Sequence, residues 1–146
     1  MAPPDTAVTV GRRLIRLGSR IHRLQVERLE ALSTPLSIRQ YRILDRVDQG
    51  ITSLGRLAEL ARRQPSTISK SADSLVRQGL LTRQEAVEDR RAMVLHLTPA
   101  GAKLLAEARA ASGDLAAWLV GASGMKLDDL ASFVDVLYEE TEQIME

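Results

Sequence analysis

The chain has no cysteine among its 146 residues. That absence excludes disulfides, thiolate nucleophiles, iron–sulfur clusters and thiolate zinc sites. Histidine occurs only as His22 and His96, so one copy cannot build a histidine-rich metal site. Neither a metal nor a cofactor is expected. Aromatic residues are as scarce: Trp118, Tyr41, Tyr138 and Phe133 are too few for a platform that stacks single-stranded bases. No run of about 18 apolar residues occurs, so no membrane span is expected. The start lacks a basic stretch followed by an apolar one, which reads as a cytoplasmic chain without a secretory signal. A glycine-rich phosphate loop is also missing, and neither histidine has a serine or carboxylate partner in its motif. The chain therefore reads as a non-enzyme.

An excess of one charge is missing too. Twenty basic residues face 19 acidic ones, a formal net charge of +1, which argues at first against a nucleic-acid partner. The distribution argues otherwise. Residues 1–36 carry six basic and three acidic residues, a net of +3. Residues 37–98 carry eleven and seven, a net of +4. Residues 99–146 carry three and nine, a net of −6. A basic front and an acidic back average to neutrality, and the front suits an anionic partner.

What is present is helical periodicity. From Val8 to about Leu32, Leu14, Leu17, Ile21 and Leu24 recur on one stripe with arginines on the other faces. A helix of that length spans about 37 Å, more than a small core needs, which points to a partner surface. Thr34-Pro35-Leu36 breaks it, and Ser37 with Gln40 forms a capping box for a second helix ending near Gly50. A short third helix follows, capped by Thr52 or Ser53. The fourth starts at Pro65 and runs to about Gln78, burying Ile68, Ala72 and Leu75, with Gly79 as its stop. Leu80–Ala86 and Ala92–Leu97 read as the strands of a hairpin with a charged connector. Thr98-Pro99 caps a long helix to roughly Leu119, a break is expected at Gly121–Gly124, and a last helix covers about Leu127 to Ile144. The fold class is mainly α with a small β-hairpin wing. A winged helix-turn-helix over 37–98 is framed by terminal helices over 1–36 and 99–146.

Two places carry chemistry. Ser66, Thr67, Ser69 and Lys70 crowd the first turns of the fourth helix, and Ser66, Ser69, Lys70 and Asp73 lie off its apolar face. Small hydroxyls let a helix sink into a major groove and bond to base edges and phosphates. They also serve simply as caps and solvated positions. At the hairpin tip, Asp89-Arg90-Arg91 places two guanidinium groups beside an acid. Arginine matches the narrow, negative minor groove, although a charged triplet is also an ordinary solvated turn. The triplet stands one hairpin away from a helix already suited to the major groove, and that combination favours double-stranded DNA.

The segments Leu57-Ala58-Glu59-Leu60, Pro65 to Lys70, Leu75 to Leu81 and Asp89 to Gly101, in this order and spacing, resemble the MarR (multiple antibiotic resistance regulator) family. The resemblance implies a homodimeric winged-helix transcription factor on a pseudo-palindromic operator, most often a repressor. By position it implies DNA contacts from Ser66, Thr67, Ser69, Lys70, Arg90 and Arg91, with Asp89 bracing the wing. Gln64 departs from the pattern, because aspartate or asparagine caps a helix better. The resemblance also implies a small aromatic or drug-like effector in a cleft that Arg20, His22, Arg23, Tyr41 and Trp118 could line. The ordinary reading of Tyr41 and Trp118 is core or interface, and of the arginines, solvated surface. Two alternatives stay open: a winged-helix protein-interaction module, and a DNA-binding regulator without an effector.

Overall fold

The computed structural model describes residues 6–89 and 92–145. Six helices and one hairpin follow in the order α1 (Ala7–Glu30), α2 (Ile38–Asp48), α3 (Leu54–Ala61), α4 (Pro65–Arg77), β1 (Leu81–Glu85), β2 (Met93–Leu97), α5 (Pro99–Ser123) and α6 (Leu127–Met145). They fall into two compact units, one running to Ala111 and one from Ser112, so α5 contributes to both.

Local chemistry accounts for the boundaries in the first unit. Thr6 caps α1, its hydroxyl accepting from the Thr9 backbone N–H at 3.2 Å. The capping box that opens α2 is complete. Ser37 Oγ accepts from the Gln40 N–H at 3.1 Å, and Gln40 Oε1 from the Ser37 N–H at 2.9 Å. Of the two candidates for α3, Ser53 is the cap. Helix α4 begins on Pro65, and Gln64 before it makes no side-chain capping bond. Gly79 ends α4 with φ of 73°, a left-handed turn that glycine adopts without steric cost.

Leu29, Leu44, Leu57, Ile68, Leu75, Leu81, Leu95 and Leu105 are essentially fully buried in one apolar cluster. Helices α2 to α4 close around it, each with one apolar stripe inward. The hairpin is antiparallel, with Leu81 opposite Leu97, Arg83 opposite Leu95 and Glu85 opposite Met93. A further bridge pairs Ser53 with Val94, and the Leu95 N–H donates to Thr52 O at 2.9 Å, so the α2–α3 connection edges the hairpin.

The junction of hairpin and α5 is tight. Thr98 Oγ1 donates to Gly79 O at 2.6 Å and accepts from the Gly101 N–H at 3.0 Å. The Thr98 N–H donates to Leu80 O at 3.2 Å. A Cβ on Gly101 would stand 2.0 Å from that same carbonyl oxygen, so only glycine fits. Further along α5, Glu107 receives the Ser33 hydroxyl at 2.8 Å, and Arg109 pairs with Asp45 and Asp48, each at 2.8 Å. Both carboxylates raise the Arg109 pKa, the hydrogen bond to Asp45 most.

The second unit differs from expectation at one point. Helix α5 continues past Leu119 and through Gly121 to Ser123. An exposed glycine weakens a helix without ending it. The stop falls at Gly124, whose φ of 65° turns the chain, and Ser123 Oγ caps the end by donating to Val120 O at 2.7 Å. In α6, Phe133, Val134, Leu137 and Tyr138 are all exposed.

Candidate nucleic-acid interface

Helix α4 presents its polar residues because its apolar ones are consumed. Ile68, Ala72 and Leu75 are buried to 1% exposure or less, which fixes the helix's rotation about its axis. Ser66 and Lys70 are then exposed, with Thr67 and Ser69 half-buried at their sides. The four residues occupy the first two turns, where free backbone N–H groups and the helix dipole favour an anion. One hydroxyl further along is engaged internally: Ser74 Oγ accepts from Gln40 Nε2 at 3.3 Å and from Gln78 Nε2 at 3.1 Å. The first of these bonds holds α4 to α2, the second is local to the end of α4, and the first turns stay free of that network.

The hairpin projects directly after α4. Its connector is closed by the Ala86 N–H donating to Ala92 O at 2.8 Å and the Ala92 N–H donating to Asp89 O at 2.9 Å. Asp89 is exposed on this connector. Arg90 and Arg91 lie outside the described residues.

Of the five residues expected to line an effector cleft, four belong to the first unit and Trp118 to the second. His22 borders a concavity of about 270 Å³ in the first unit. Arg20 and Arg23 are exposed on α1, and Tyr41 packs half-buried against the apolar cluster. Trp118 is 59% exposed in the second unit. Sequence reasoning missed the arginines of the concavity: Arg39, Arg42 and Arg46 lie along one face of α2 and line it with Arg63 and with apolar residues that include Leu57 and Ile68. Their spacing of three and four was the available signal, but it shows only a helix face and not what that face overhangs.

Among the described residues no group of His, Asp or Glu is arranged to hold a metal ion. Among the described residues no helix is long and apolar enough to cross a membrane.

A recognition-type helix with a projecting hairpin beside it defines a winged helix-turn-helix protein. Residues 36–93 match the MarR family model. An uncharacterised HTH-type transcriptional regulator of Bacillus subtilis, YhbI, is 26% identical over 111 residues, covering 74% of this chain and 72% of its own. FabT of Streptococcus pneumoniae, solved in complex with DNA, superposes with a TM-score of 0.81 at 17% identity, over 96% of this chain and 98% of that one. A mutant MarR of E. coli, solved with operator DNA, gives 0.74 at 21% identity, over 89% and 91%. At such identities the two structures establish the likeness of fold.

Proposed function

We propose that two copies of this chain form a homodimer that binds a pseudo-palindromic double-stranded operator in the cytoplasm and represses transcription by occluding the promoter. The observation that carries the reading is the front of α4. Its buried stripe leaves Ser66 and Lys70 exposed and Thr67 and Ser69 half-buried at a helix N-terminus, followed in the chain by a hairpin whose connector includes the exposed Asp89. On this reading residues 37–98 bind DNA, α4 in the major groove and Arg91 with Arg90 in the minor groove, Asp89 holding one guanidinium in place. Residues 1–36 and 99–146 form the dimer. FabT and MarR, both solved on DNA, lend the fold a precedent. The half-sites then lie about 34 Å apart, one helical turn.

An effector is the second part of the proposal. The concavity beside His22 joins guanidinium groups to an apolar floor, a combination suited to a small aromatic anion. Binding there touches α2 and α4 together, so it can shift the recognition helix and release the operator.

The test is a mobility-shift titration with the duplex upstream of the chain's own coding region, at about 50 and 200 mM salt. Retardation that weakens steeply between the two is the expected result, because each neutralised phosphate releases counterions. Salt-insensitive binding, or none to any duplex, would leave a protein-interaction module as the better reading. Retardation lost on adding a phenolic acid supports the effector. Retardation unchanged by a broad panel of such ligands leaves a regulator without one.

A further inference from the structure

Arg83 occupies a position where the hairpin's own alternation calls for an apolar side chain. Leu81, Arg83 and Glu85 face the same way along β1, and Arg83 stands directly opposite Leu95. Leu81 and Leu95 are each 1% exposed. An arginine on that face is unfavourable unless its stem packs and its head finds an anion. The anion is on α4: Arg83 Nη2 lies 2.5 Å from Asp73 Oδ1.

Asp73 is itself out of place for a DNA-facing helix. It follows Ser66 by seven residues and Lys70 by three, so it continues their outward stripe one turn further along. A free carboxylate there would meet phosphate with like charge.

We propose that Arg83 is a positioning residue for operator binding, acting in two ways through Asp73. It masks the one acid on the outward stripe of α4, and it ties the root of the wing to the recognition helix so that the two grooves are entered at a set separation. The pair is part-exposed, 31% on the arginine and 41% on the aspartate, so its contribution to stability is modest and its consequence is electrostatic and geometric. This inference rests on the DNA-binding reading above.

The test uses the full chain, with Arg83→Met (which keeps the stem and removes the charge), Asp73→Asn, and the double variant. Each is titrated against a duplex enriched from a random-sequence pool by the wild-type chain. In parallel, amide hydrogen exchange of β1 is followed without DNA. Arg83→Met should bind about tenfold more weakly. Asp73→Asn, which breaks the tie but leaves no unmasked charge, should bind only about two- to threefold more weakly than wild type, and adding it to Arg83→Met should restore affinity to within about threefold of wild type. Additive losses in the double variant overturn the masking role, since a merely structural defect is not repaired by removing the second partner. Exchange of the β1 amides should quicken in all three variants, and unchanged exchange overturns the tie. A wild-type chain that enriches no duplex removes the DNA-binding reading and the masking role with it, while exchange still decides the tie.

Discussion

At the scale of single residues, those proposed to touch DNA stand apart from those that support the fold around them. Lys70 is an exposed point charge on the outward stripe of α4, and on the proposed reading it meets phosphate rather than a base edge. Lys70→Ala should therefore weaken binding about equally for specific and random duplexes and lower the salt slope by about 1, read from titrations across salt. A loss confined to the specific duplex would assign Lys70 to base recognition instead. Gly101 belongs to the second group. Its missing side chain lets α5 start against the Leu80 carbonyl, and a Cβ there would stand 2.0 Å from the oxygen. Gly101→Ala should cost about 3 kcal/mol by urea denaturation, because a backbone oxygen cannot move aside as a side-chain tip can. The capping residues were legible beforehand, since Ser37, Ser53 and Pro65 act through neighbours three residues away or fewer. The partnerships Arg83–Asp73 and Arg109–Asp45 were not, because their members lie far apart in sequence and meet only once the core has formed.

At the scale of elements, the same contrast governs what could be read. Helices α2 to α4 and the hairpin have short, unambiguous start and stop signals and one apolar face each, so periodicity placed them within a residue or two. Helix α5 ran past its expected end because Gly121 is a helix weakener on an exposed face, whereas the positive φ that stops the chain sits at Gly124. The outward stripe of α4 was legible for a related reason: burying Ile68, Ala72 and Leu75 leaves no other rotation. What periodicity could not show is the concavity beneath Arg39, Arg42 and Arg46, which depends on how α2 and α3 cross. The start of α4 offers a test at this scale. Gln64 makes no capping bond, so one backbone N–H that a short hydroxyl could hold has no side-chain partner at the cap. Gln64→Ser should raise unfolding stability by about 0.5–1 kcal/mol, measured by thermal or urea melts. Serine adds no charge, so DNA affinity should stay within about twofold of wild type.

At the scale of the whole molecule, charge and apolar surface point to one arrangement. Residues 1–98 carry a net charge of +7 and residues 99–146 a net of −6. The same C-terminal stretch exposes Phe133 at 44%, Val134 at 48% and Leu137 at 39%, on a helix with no buried residue among those described. A monomer rarely leaves so contiguous an apolar face in water, and a helix without a buried stripe draws little stability from its own propensity. On the proposed reading a second copy covers that face. Substitution separates the two cases. In a monomer Val134→Glu with Leu137→Glu changes exposed positions and should alter stability by at most about 0.5 kcal/mol each. In an obligate dimer the same pair buries charge at an interface, so folding should become concentration-dependent or fail at micromolar protein. Sedimentation of wild type should then give a single dimeric species over that range. A stable, folded monomer with both variants neutral would remove the dimer, and with it the two-fold operator and its 34 Å spacing, roughly one DNA turn.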